Sequence, residues 1–139
     1  MWLQCGVITF TIVLNIYRIG TEAPVLTSNA TLVKVNEALK LTCTHPTATV
    51  VRWLRQPAGD STSSIILAMN NVCEFNPTTL SDVFSTCVCN GTRFTCTLKP
   101  LDTINNGEKW KCAVNINFQA TLSNEITLKE QILRPLRPV

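Results

Sequence analysis

Residues 51–59, VRWLRQPAG, decide how the chain is read. Trp53 lies between two arginines, and a Gln and a Pro-Ala-Gly turn follow. Upstream, LKLTC ends at Cys43; downstream, GEKWKC ends at Cys112. Either Trp53 is a ligand-facing aromatic among basic residues, or it is the centre of a core bracketed by those two cysteines. Strand alternation puts Val51 and Trp53 on one face and Arg52 and Leu54 on the other.

Composition favours a packed body. The chain has 139 residues, is 45% hydrophobic and only 15% charged, which suits one globular domain and excludes a disordered polyelectrolyte. Its net charge of +3 comes from scattered residues, with no basic stripe of the kind nucleic acid requires. Residues 6–17, GVITFTIVLNIY, are almost wholly apolar. That run is short of the roughly 20 residues needed to cross a bilayer. It fits the apolar region of a secretory signal peptide, although no Lys or Arg precedes it. Residues 1–23 are therefore expected to be a signal peptide, cleaved near TEA at 21–23; an uncleaved anchor is the alternative. The mature product is expected to be extracellular, either secreted or the first domain of a receptor anchored by a segment beyond Val139.

Beyond residue 24 the chain alternates as strands do. TLVKV (31–35), LKLTC (39–43), VVRWLR (50–55), IILAM (65–69), FSTCVC (84–89), RFTCTL (93–98), KWKCAVNINF (109–118) and TLSNEITLK (121–129) give about eight short strands with turn signals between them. Asn90-Gly91 between two such runs marks a hairpin. No stretch has a helical period, so an all-β, two-sheet antiparallel sandwich or a barrel is expected over residues 24–130, with 131–139 as a tail or linker. Seven cysteines occur, and six remain once Cys5 leaves with the leader. An even number in an exported chain indicates a disulfide framework, but six cysteines allow 15 pairings and spacing alone does not choose.

The combination Cys43, Trp53, Cys112 resembles the immunoglobulin superfamily, variable type. WLRQPAG is similar to the family's W-x-R-Q-x-P-G stretch with Pro and Ala exchanged, and NNGEKWKC to its D-x-G/A-x-Y-x-C segment. The resemblance implies an immunoglobulin-like sandwich, a Cys43–Cys112 bridge between sheets, and Trp53 in the core against it. It also marks two departures. Trp110 stands where the family has the corner tyrosine, and Asn106 where it has an acidic partner for an Arg. A Trp at that corner together with extra cysteines resembles invertebrate, particularly molluscan, members.

Cys73, Cys87, Cys89 and Cys96 then remain. Cys87 and Cys89 share one strand face and are too close to bridge each other. Cys73–Cys87 with Cys89–Cys96 and Cys73–Cys89 with Cys87–Cys96 both stay open; the antibody-like topology leans to the second. The spacing is not that of a structural zinc site, so no metal is expected. The single histidine, His45, precedes a proline and reads as a strand-end residue, and no catalytic motif or cofactor site is found. Asn29-Ala30-Thr31 and Asn90-Gly91-Thr92 are N-glycosylation sequons.

A fold of this class presents loops and an open sheet face. The expected role is therefore non-catalytic recognition or adhesion, with a protein or cell-surface glycan as ligand. The face opposite Trp53 and Cys112 offers Arg52, Leu54, Gln56, Lys111 and Ala113. In variable-type relatives this face pairs domains, and Gln56 occupies the contact position, so an immunoglobulin–immunoglobulin dimer through it is a further expectation. A cysteine-rich secreted toxin or protease inhibitor is the alternative.

Overall fold

A computed structural model describes residues 22–131, apart from 35, 63, 77–82, 101–105 and 117. Nearly all of the expected leader and tail lies outside the described residues. Twelve strands run in chain order: β1 (Val25–Ser28), β2 (Leu32–Val33), β3 (Lys40–Thr44), β4 (Val50–Gln56), β5 (Ser64–Asn70), β6 (Phe75–Asn76), β7 (Phe84–Asn90), β8 (Arg93–Leu98), β9 (Lys109–Ile116), β10 (Gln119–Leu122), β11 (Ile126–Thr127) and β12 (Lys129–Glu130). No helix occurs among the described residues.

The strands form two layers. One sheet has the order β1-β3-β8-β7; the other has the order β10-β9-β4-β5-β6, with β11 extending β10 along β9. The pairs within both layers are antiparallel. Among the described residues only β2 and β12 pair in parallel, matching Lys129 with Leu32 and Glu130 with Val33. After β1 the chain thus leaves the first sheet and pairs with β12 in a separate two-stranded ribbon. Asn124 closes the seam between the two layers: its Oδ1 accepts the Leu26 N–H at 2.9 Å and its Nδ2 donates to the Leu26 carbonyl at 2.9 Å.

Alternation decides which residues go inside. Along β3, Leu41 and Cys43 are buried; along β8, Phe94, Cys96 and Leu98; along β4, Val51 and Trp53. The Cys43–Cys112 bridge joins β3 to β9 across the layers, with a Cα–Cα distance of 6.2 Å. Trp53 is directly opposite Cys112 in the β4–β9 register, which puts the indole beside the bridge. Phe84, from the other sheet, completes the centre. Its ring centroid lies 5.7 Å from that of Trp53 and 5.7 Å from that of Trp110, both at steep angles. Such edge-on contacts add about 0.5–1.5 kcal/mol each beyond the area buried.

The two remaining bridges are Cys73–Cys89 and Cys87–Cys96. Cys87 and Cys96 are opposite each other on β7 and β8. Cys73 lies in the turn between β5 and β6, where Asn70 Oδ1 accepts the N–H groups of Val72 and Glu74 at 3.1 and 3.2 Å. Its link to Cys89 therefore ties the edge of one sheet to the edge of the other.

Several local expectations shift. The strand expected at 31–35 is paired only at Leu32–Val33, because it sits at an edge and meets one short partner. The 121–129 run is broken into the end of β10, then β11 and β12, since Ser123 and Asn124 turn their polar groups to Cys112 and Leu26. In the hairpin the two central residues are Gly91 and Thr92, not Asn90 and Gly91, because Asn90 pairs with Arg93. Gly91 alone of these has positive φ, 54°, as a type II′ turn requires at its first central residue.

The corner before Cys112 is rebuilt around Glu108. This carboxylate is almost completely buried. Its Oε1 accepts the Trp110 indole N–H at 2.7 Å and its Oε2 accepts the Arg55 guanidinium at 2.8 Å. The acidic partner expected at residue 106 is thus supplied two residues later. Asn106 is exposed and accepts the Glu130 N–H at 3.4 Å. Both contacts of Glu108 need an acceptor, and an amide offers only one. Glu108→Gln is therefore expected to destabilise the domain by about 2–3 kcal/mol, read as a lowered urea midpoint. Phe84→Ala should cost more, about 3–5 kcal/mol by the same measurement, whereas the exposed Val88→Ala should be nearly neutral.

Candidate functional site

The outward face of the β10-β9-β4-β5 sheet is built in cross-strand rows. Gln56 pairs with Lys109, Leu54 with Lys111 and Arg52 with Ala113 in the β4–β9 register, and Ala113 pairs in turn with Leu122 of β10. Arg52, Leu54, Gln56 and Lys111 are all partly exposed there. Ala113 is not available: it is only 3% exposed. Its methyl group lies between the longer side chains of Arg52 and Leu122, so a position that alternation assigns to the surface is covered by its neighbours. Ala113 is withdrawn as a binding residue.

Gln56 also has an internal role. Its Nε2 donates to the Asp60 carbonyl at 2.6 Å, so one end of its amide is committed to the chain's own turn.

The lower half of the face is basic. Lys109 and Lys111 each reach one oxygen of Glu125, at 3.1 and 3.2 Å. These contacts, the Lys109 hydrogen bond first and the Lys111 hydrogen bond next, hold the Glu125 carboxyl below its usual range. With Leu54 and Gln56 the three residues line a shallow recess of about 20 Å³, room for about one water molecule. The upper half is different. Residues 113–124 carry no charged side chain, and Arg52 stands in the row of Ala113 and Leu122. Leu122 is 49% exposed and Val50 41%, and Phe118 is fully exposed at the β9–β10 turn. Phe118 adopts φ 65°, a conformation that a bulky residue seldom takes.

Sequence reasoning singled out neither Phe118, Leu122, Val50 nor Glu125. The signal for Leu122 was its register against a strand face already judged outward. The signal for Phe118 was a lone aromatic between Asn117 and Gln119, where a hairpin turn prefers Asn or Gly.

His45 is a buried fixture. Its Nδ1 accepts the Thr47 N–H at 3.2 Å, so Nε2 carries the proton and donates to the Glu22 carbonyl at 2.9 Å. Both ring nitrogens serve to hold the N-terminal segment, which suits structure rather than proton transfer. The described residues contain no group of three or more His, Cys, Asp and Glu able to hold a metal ion. No described helix is long and apolar enough to cross a membrane.

Because Glu125 is depressed in the fold, its contribution to stability is complete above the unfolded carboxylate value of about 4.3 and is lost as pH falls through the lower folded value. Glu125→Gln should therefore be less stable than the parent near neutral pH, with the gap closing as the solution is acidified, in paired urea titrations.

No protein-family model matches the sequence, and no curated protein does. Solved structures do. A chain of the swine CD8aa homodimer superposes with a TM-score of 0.62 at 16% identity, covering 78% of this chain and 99% of that one. A chain from work on the structural basis of T cell specificity and activation by the bacterial superantigen toxic shock syndrome toxin-1 gives 0.61 at 13% identity, covering 78% and 99%. At such identities the likeness is one of fold. β5 and β6 are the two additional strands that distinguish variable from constant sandwiches. The bridge, the tryptophan beside it and those extra strands together make the chain an immunoglobulin-like β-sandwich of the variable type.

Proposed function

We propose that the protein is a non-catalytic extracellular recognition module that engages a protein partner through the outward face of β4, β9 and β10. The observation that carries this reading is the grouping of exposed apolar side chains, Leu122, Val50 and Phe118, at one end of a sheet whose other end is basic. Interfaces take their affinity from a few apolar or aromatic anchors, and charged neighbours set orientation and association rate. Three disulfides fit an oxidising, extracellular setting. The expected signal peptide, residues 1–23, supports the same reading.

The toxin or inhibitor alternative rested on the cysteine-rich hairpin. Cys96 is fully buried and Cys87 and Cys89 pack against the core, so the hairpin fits a staple better than a presented loop. Self-pairing through the same face is a second reading. One fold neighbour was solved as a homodimer, which favours it. Charge weighs against it, since Arg52, Lys109 and Lys111 outnumber Glu125 among the described outward residues of β4, β9 and the segment after β10.

The test is a binding screen of the secreted domain against cell-surface ectodomains and a glycan array, repeated with Phe118→Ala, Leu122→Asp and Leu54→Asp. Each substitution should weaken binding by about 2 kcal/mol, roughly 30-fold in Kd, while Val88→Asp on the opposite sheet leaves it intact. A ligand lost with Val88→Asp but kept with the other three, or a hit on glycans alone, would overturn the assignment. Light scattering at increasing concentration separates the dimer from the monomer.

A further inference from the structure

Only two unblocked N-x-S/T sequons occur in the chain, at Asn29 and Asn90, and the fold places both on one layer. Asn29 directly follows β1 and Asn90 ends β7, so they occupy the two outer edges of the β1-β3-β8-β7 sheet. They also stand at opposite ends of its strands. Asn29 faces Lys40, its N–H donating to the Lys40 carbonyl at 3.1 Å, whereas Asn90 pairs with Arg93, which in turn pairs with Thr44 at the far end of β3. The two sequons therefore mark diagonal corners.

Each corner can carry a large substituent. Both asparagines and the threonines that complete their sequons, Thr31 and Thr92, are exposed. Asn29 Oδ1 accepts the Lys40 N–H at 2.7 Å, a bond that does not use Nδ2, the nitrogen a glycan takes. Asn90 leads into the tight turn at Gly91, which holds it at the rim. Besides Lys40 and Arg93, the outward positions of β3 and β8 are threonines, with Thr42 and Thr95 hydrogen-bonded to each other at 2.9 Å. The opposite sheet has no usable sequon: Asn76-Pro77-Thr78 is blocked by proline, and Asn71-Val72-Cys73 has its Cys bound to Cys89.

We propose that Asn29 and Asn90 carry N-linked oligosaccharides that together shield the outer face of the β1-β3-β8-β7 sheet and leave recognition to the other. The covalent step joins Asn Nδ2 to C1 of an oligosaccharide donated from a lipid pyrophosphate; the lipid pyrophosphate leaves, and one Nδ2 proton passes to the transferase. The proposal rests on the export reading, but not on the identity of any partner.

The test expresses the full chain in a eukaryotic secretory cell line and compares intact masses before and after enzymatic deglycosylation. Asn29→Gln and Asn90→Gln should each lose one glycan mass, and the double variant both. Thr31→Ala and Thr92→Ala should repeat the result without touching the asparagines. Acetylation of surface amines then reads the shield: Lys40, beside Asn29, should label more slowly in the glycoform than after deglycosylation, with Lys109 and Lys111 unchanged. A folded, secreted protein with either asparagine unmodified overturns the proposal, as does protection of Lys109 and Lys111 equal to that of Lys40. A chain that stays in the cytosol sinks the export reading itself, which is a different failure from secretion without sugar.

Discussion

The sulfur link between Cys43 and Cys112 is the constraint on which the rest depends. It joins residues far apart in the chain, and on the chain-entropy account a loop of that length contributes about 4 kcal/mol by restricting the unfolded state. Its second effect is geometric. Once β3 and β9 are fixed face to face, the space beside the bridge must be filled, and Trp53, Phe84 and Trp110 fill it from three strands of two sheets. The centre is thus both covalent and close-packed, and neither part substitutes for the other.

A corner tyrosine would meet its hydrogen-bond need with a backbone acceptor. Here a larger indole takes the place, and its N–H is buried with the ring. The chain answers with a buried carboxylate two residues upstream, which would be costly alone. Glu108 is tolerated because it accepts from Trp110 on one side and Arg55 on the other, and Arg55 is still partly open to solvent. One departure at residue 110 therefore drags a second at 108 and makes a carboxylate at 106 superfluous. The substitutions form one unit, and each is intelligible only beside the others.

The parts legible in the sequence were those with a long-range signature or a strict local one. Cys43, Trp53 and Cys112 imply a sandwich through the resemblance they carry, and Gly91 announces a turn by its backbone freedom. The parts that were not legible depend on neighbours that no one-dimensional pattern names. Ala113 alternates to the surface but is covered by side chains from two other strands. Phe84 looked like any strand residue, and its place between two tryptophans follows only from how the sheets stack. Glu108 is, in the sequence, one polar residue ahead of a strand, and only the fold puts Arg55 beside it.

The two outer faces of the sandwich are unequal, and the inequality bears on how the protein could be used. One face is threonine-rich between Lys40 and Arg93 and is bordered by both sequons. The other combines a lysine pair clasping Glu125 with an end where Leu122, Val50 and Phe118 are exposed around Arg52. Glu125 neutralises only part of the positive charge around it, so a second copy meeting this face about a two-fold axis would bring lysines near lysines. An acidic partner would instead compete with Glu125 for the same ammonium groups while its apolar surface covered Leu122 and Phe118. Burying those side chains gains hydrophobic free energy that the isolated domain forgoes. If the proposed recognition role holds, this asymmetry argues for a partner different from the protein itself, approached from one side.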